Sequence, residues 1–308
     1  MVCRYQVIQS IEKSLQWIDS KKFLVNPLKH NYSNRESHKM FSELQFVMSS
    51  LCEIKDLLSN KSIRHIEEIV NFSKAIILDP RYYELVQKDT SCFRMYGVAV
   101  MSFLKCYNGI EVSFLKEIIQ KSYDLSVNVS PEVLPFRKME YYFSLLGLGI
   151  YDDQGLLASI RTVANNSILA SNFDLFNYSI FEEYAITHSV FYLTNMGKEP
   201  LEIEQFPGLS NIILVLLCKN MLQKDLDLLG EFIIDMCCCN IRHNLLDVAC
   251  RYIIKEQENN GVFLCPLRNN NVNLVDQTDI KHYFKANYHT TYVCLMALSK
   301  YLNKSKNN

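Results

Sequence analysis

Nine glycines and seven prolines are all the strong backbone breakers in 308 residues, and the intervals between them fill with apolar side chains at helical spacing. A chain interrupted so rarely has few ways to fold except as helices packed on helices. The spacing predicts helices over residues 7–18, 41–58, 63–78, 92–106, 112–123, 133–146, 178–193, 211–222, 227–239, 245–258 and 282–302. No Asn-Gly or Asp-Gly pair separates two alternating segments, and Asn108-Gly109 lies between two helical patterns, so no β-hairpin is expected. Ser130, Pro131 and Glu132 supply an N-cap, a first-turn proline and a first-turn acid to the helix that follows, and Gly147 suits a left-handed stop. About a dozen helices with short connections fit an all-α fold, either a closed α/α toroid or an irregular α-solenoid or bundle.

The polar stretches 26–38 and 268–279 read as loops rather than long linkers, so residues 1–308 are expected to form one helical domain. Composition agrees, with 49% apolar and 21% charged residues, enough to build a sizeable core. The 32 basic and 33 acidic side chains leave a formal charge of -1, which gives no field favouring nucleic acid or an anionic membrane as partner. MVCRYQVIQSIEKSLQW alternates charge with apolar residues and lacks the features of a signal peptide, so a cytoplasmic protein is expected. The longest apolar run, Ile212 to Leu217, stops at Cys218-Lys219, far short of the ~20 residues a membrane span needs. Eleven cysteines, an odd count, suit buried thiols better than a disulfide framework. Cys237, Cys238 and Cys239 point about 100° apart on a helix and cannot converge on one ion, so they read as packing.

Several polar side chains stand out against this apolar background. His188 lies among Ala185, Ile186, Val190, Phe191 and Leu193, with Tyr184 one turn before it and Tyr192 one turn after. A ring nitrogen so placed needs a partner or costs about 1 to 3 kcal/mol. It is either a core histidine bonded to a tyrosine or a carbonyl, or part of a site. In KDLDLLGEFIIDMCCCN, Asp227, Glu231 and Asp235 recur at i, i+4 along an otherwise apolar helix. They form either a narrow solvent-facing stripe or a row of acids facing a cavity, where a cation or a histidine must neutralise them. On the last helix His282 and His289 share a face seven residues apart. His282 reads as an exposed turn residue, whereas His289 stands at the edge of a buried run. Arg137 and Glu140 are spaced for a surface ion pair, and Arg242 and His243 read as surface residues at a helix start.

Two resemblances follow from these residues. LLDVACRYIIKEQENNGVFL resembles the repeat of terpenoid-cyclase-like toroids, in which a helix ends in a glutamine (Gln257), followed by a polar turn with glycine (Asn260, Gly261) and an aromatic residue (Phe263). The set Pro135-Phe136-Arg137 with Glu140, Tyr184-x-x-Thr187-His188-x-x-Phe191-Tyr192-Leu193-Thr194-x-x-Gly197, Asp225-x-Asp227-Leu228-Leu229-x-Glu231 and Tyr288-His289-Thr290-Thr291 resembles an uncharacterised bacterial family often encoded near natural-product genes. That likeness covers roughly residues 130–300, leaving 1–129 as N-terminal helices that complete the fold. It departs at Asn195-Met196, where the family carries Asp-Phe before the glycine. It implies an α/α toroid and no assigned chemistry.

Both lines of reasoning single out His188, Asp227, Glu231 and His289. Two imidazoles and two carboxylates suit a divalent Zn, Mn or Fe ion. They equally suit metal-free acid–base chemistry, with Glu231, Asp227 and His188 as the catalytic groups. The expected function is an enzyme of secondary metabolism acting on a small-molecule or peptide substrate in a central cavity. The alternative is a non-catalytic helical scaffold with a satisfied polar network.

Overall fold

The computed structural model describes residues 3–29, 35–88, 93–107, 112–125, 133–171, 178–201, 203–266 and 279–305. Among them are thirteen α-helices and no strand: α1 (Arg4–Lys21), α2 (Arg35–Cys52), α3 (Asn60–Ile77), α4 (Pro80–Lys88), α5 (Phe93–Cys106), α6 (Ser113–Leu125), α7 (Pro135–Phe143), α8 (Asp153–Ala164), α9 (Ile180–Leu193), α10 (Leu209–Gln223), α11 (Leu226–Cys238), α12 (Leu245–Lys255) and α13 (Ile280–Lys304). No helix among the described residues is long and apolar enough to cross a membrane.

The capping chemistry explains several boundaries. Ser179 and Glu182 form a reciprocal capping box that starts α9 one turn ahead of Glu183. Asp152, Asp225 and Asp279 cap α8, α11 and α13 through their side chains. The cap expected at Ser130-Pro131-Glu132 lies outside the described residues. The helix starts instead at Pro135, with proline in its first turn. Gly147 does take the left-handed conformation, at φ +72°. Two helices escape the periodicity argument, α4 and α8, because one is only 9 residues long and the other holds Gly155 in its first turn. α2 begins at Arg35 instead of residue 41, and this longer start carries Glu36 and Lys39 into a helix.

Six helices pack in a closed succession: α2 on α5, α5 on α7, α7 on α9, α9 on α11, α11 on α13, and α13 back on α2. Six of the remaining helices cover them, with α1 on α13, α3 on α2, α6 on α5, α8 on α7 and α9, and α10 and α12 on α11, and α4 packs on α6 and α3. α11 is the most enclosed, since every residue in it except Cys237 is buried. It meets α13 closely at Gly230, where a Cβ would stand 2.8 Å from Val293 Cγ1.

The Gln257 turn has a structural task that fastens α1 to the far end of the chain. Gln257 donates to the Ser10 carbonyl at 3.0 Å and to Ser14 Oγ at 2.9 Å, and accepts from Ser10 Oγ at 2.8 Å. Ser14 donates to the Gly261 carbonyl at 2.7 Å, while Thr291 accepts from the Phe263 N–H at 3.1 Å. Gly261 sits at φ +94°, and a Cβ there would lie 2.3 Å from the Lys13 carbonyl oxygen. Both strain and collision fall on backbone that cannot yield without lifting α1. Gly261→Ala is therefore expected to lower unfolding free energy by roughly 2 to 5 kcal/mol in urea titration; a loss within about 0.5 kcal/mol, the range of ordinary surface changes, would contradict this packing.

Candidate active site

A cavity of about 1010 Å³ is lined from all six helices of the closed succession. Three of the four residues singled out by sequence, His188, Glu231 and His289, stand in its wall. The fourth, Asp227, lies just behind it, touching Tyr184 and His289. The solvent-facing stripe on α11 is thereby overturned. Asp227, Glu231 and Asp235 are 3%, 2% and 0% exposed, because that face of the helix turns inward on α9 and α13.

His188 and Glu231 form one pair. His188 Nδ1 lies 2.9 Å from the Tyr184 carbonyl and 3.6 Å from Glu231 Oε2, and the same Glu231 oxygen accepts from the Thr187 hydroxyl. A carbonyl only accepts, so Nδ1 carries the proton and Nε2 the lone pair in the neutral ring. The rings of Phe136, Tyr184, Phe191 and Tyr192 surround the imidazole with centroids within 6.0 Å. Burial in this cage lowers its pKa to about 4, with the cations Arg137 and His289 adding to the effect and Glu140 and the Tyr184 carbonyl opposing it. At neutral pH His188 is an uncharged base.

His289 is its opposite. Nδ1 lies 3.1 Å from Glu43 Oε2 and Nε2 lies 3.6 Å from Asp227 Oδ1, so each ring nitrogen faces a carboxylate. Burial alone would discharge this ring, but Glu43 and then Asp227 outweigh it and raise the pKa to about 9. The charge on His289 in turn holds Glu43 below the usual carboxylate range, with help from Lys39 and against the cost of burial. Asp227 Oδ2 also accepts from the Tyr184 hydroxyl at 2.5 Å. One network thus runs from Glu43 on α2 through His289 on α13, Asp227 on α11 and Tyr184 on α9 to His188, Thr187 and Glu231.

Glu43 lies inside the helix expected over 41–58, but its partner His289 is 246 positions away, so no local pattern in the sequence marks it as part of a site. Tyr184 and Thr187 were visible as neighbours of His188 but not as partners of the acids. Asp235 stands apart. Among the described residues neither of its oxygens has a hydrogen-bond partner, and burial, then the nearby Glu231, pushes its carboxyl well above the usual range. It is an acid behind the site whose burial favours the uncharged form.

The four singled-out residues come together as two histidine–carboxylate pairs. Among the described residues, no three His, Cys, Asp or Glu side chains form a group that could hold a metal ion. His282 is exposed and pairs with the capping Asp279 at 2.6 Å. Arg242 and His243 are exposed, ahead of α12. Arg137 and Glu140 pair at 2.8 Å as their spacing predicted, but in the cavity wall. Cys237 and Cys238 are free thiols with pKa values raised by burial to about 11 and about 12, in keeping with a packing role.

Fold and site together define an all-helical protein with a histidine–carboxylate cavity at the middle of its helix circuit. The chain belongs to the family described as a domain of unknown function, DUF6895, whose match spans residues 8–299 and so reaches far beyond the 130–300 stretch that carries the sequence motifs. No curated protein and no solved structure matches the chain.

The opposed histidines have opposite effects on stability. A raised folded-state pKa means that His289 stabilises the fold fully below its unfolded value near 6.5 and stops doing so as pH rises through about 9. With a third of the side chain open to solvent, the contribution is on the order of 1 to 2 kcal/mol. His289→Gln is expected to flatten the fall in unfolding free energy between pH 6.5 and 9; an unchanged slope would refute the ion-pair assignment. Asp235, kept neutral while the unfolded chain ionises, weakens the fold as pH rises above about 4. Asp235→Asn is thus expected to stabilise at pH 7, with the gain vanishing toward pH 4. Destabilisation at pH 7 would show that the carboxyl is ionised and paired.

Proposed function

We propose that the protein is an enzyme that moves protons on a small or peptidic substrate held in the cavity, with His188 as general base and His289 as the positively charged acid. The observation that carries this reading is the pair of wall histidines held in opposite protonation states at the same pH, an arrangement that lets one site both take and give a proton. His188 accepts the proton at Nε2, the nitrogen left bare by the Tyr184 carbonyl. Glu231, beside Nδ1, stabilises the imidazolium that forms, as an orienting carboxylate does for a catalytic histidine. His289, already charged, stabilises negative charge developing on the substrate or delivers a proton to it, and Glu43 and Asp227 favour its reprotonation by solvent once the product leaves.

The same reading covers the fold. The closed succession of six inner helices with outer helices laid over it is the packing expected of an α/α toroid, whose middle is the cavity. His188 with Glu231 and His289 with Asp227 stand as two separate histidine–carboxylate pairs, and proton transfer uses them as they stand. A secondary-metabolite setting, which the motif resemblance implies, accords with a cavity of this size and apolar lining.

The test is to incubate small-molecule extract from the producing cells with the wild-type protein and with His188→Gln, and to follow every component by mass spectrometry. Consumption of a component by the wild type, reduced at least about 100-fold in the variant, is expected for loss of a general base. A component retained by both proteins and changed by neither would contradict catalysis and favour a binding protein.

A further inference from the structure

Arg137 and Glu140 are a surface-type pair in a place that is not surface. Both line the cavity, in the α7 wall next to His188, and they are the two charged groups that act most strongly on that histidine. The guanidinium stacks at 4.8 Å over Phe136, the ring that also packs against His188 at 5.9 Å. Arg137 spends Nη1 on Glu140 Oε2 and keeps the rest of its five donors, and 45% of its side chain remains open. The pair therefore offers the cavity a planar donor fork and a carboxylate a few ångströms apart, backed by aromatic rings.

Two other cations share the wall, the exposed Arg35 at the start of α2 and the charged His289, while the remaining charges are paired. Lys39 pairs with Glu43, which is spent on His289, and Glu36 pairs with Lys285. Glu182 is taken by its capping box. Farther in, the lining is apolar, with Phe46, Val98, Phe143 and Met296. A lone anion would meet Glu140, and a lone cation would meet Arg137. A head that carries both charges satisfies both, with its carboxylate on the free edge of the guanidinium and its ammonium on Glu140.

We infer that Arg137 and Glu140 form the recognition site for a zwitterionic head of the α-amino-acid type, at the end of an amino acid or short peptide whose apolar, aromatic-compatible body fills the cavity. The inference rests on the proposed function for the identity of the substrate, since it places that head beside His188, but binding itself does not depend on turnover. It also assigns specificity to two side chains whose pairing alone would read as structural.

The test uses the full-length protein and three probes of one shape: L-phenylalanine, 3-phenylpropanoate without the ammonium, and 2-phenylethylamine without the carboxylate. Binding is read by saturation-transfer NMR. L-Phenylalanine is expected to bind at least about tenfold more tightly than either truncated probe, the discrimination of one charge-assisted hydrogen bond. Arg137→Gln is expected to abolish the advantage over 2-phenylethylamine, and Glu140→Gln the advantage over 3-phenylpropanoate, with thermal melts confirming that both variants fold. Equal binding of the three probes, or preferences untouched by both substitutions, would overturn the assignment. His188→Gln separates the two readings: zwitterion preference kept with turnover lost supports both. Preference kept in a protein that shows no turnover in any form leaves the head site standing and removes the enzyme.

Discussion

A carboxylate withdrawn from water costs several kcal/mol unless something in the protein replaces its hydration, and α11 carries three of them on successive turns of one face. The site is largely the consequence of how those three are compensated. Asp227 is met by His289 and the Tyr184 hydroxyl, and Glu231 by Thr187 and the edge of His188. Asp235 meets nothing of the kind, and its burial favours the protonated form. Because the partners come from α9 and α13, the acids also fix how those helices sit against α11. The rotation of each inner helix, and with it the direction in which its polar groups face, is set by charge as well as by apolar packing.

The same compensation separates the two histidines. Both rings are withdrawn from water, a change that on its own lowers the pKa of an imidazole. His289 has carboxylates at both nitrogens and stays charged, while His188, buried in an aromatic cage with cations nearby, stays neutral against the opposing pull of Glu140 and the Tyr184 carbonyl. Sequence neighbours do not produce this difference. It arises because Glu43 reaches His289 from α2, across a separation of 246 residues. The closed circuit of helices is what brings α2 and α13 together, and the Gln257 turn secures the start of the chain to the end of it.

Much of the architecture was legible because helical periodicity is a local signal. Eleven of the thirteen helices follow from apolar spacing, and the two that do not are short or broken by glycine near their start. Three of the four polar residues expected to form a site do face one cavity, since a histidine or an acid in an apolar stripe is conspicuous whatever its partner. Two things were hidden. The first was the partner of Glu43, which stands inside the helix expected over 41–58 but meets His289 across 246 positions. The second was whether the acid row on α11 faces water or the interior, because the same i, i+4 pattern serves both, and only the packing of α9 and α13 over it decides. The Gln257 turn is conspicuous in the sequence, but its hydrogen bonds to α1 depend on contacts about 247 positions away, beyond the reach of any local pattern.

One cavity holds a neutral and a charged histidine side by side. Heteronuclear NMR of the ring nitrogens measures this directly. At pH 7 His188 is expected as the neutral ring protonated at Nδ1 and His289 as the doubly protonated ring, with transitions near pH 4 and pH 9. Two rings titrating together near the ordinary value of about 6.5 would contradict it.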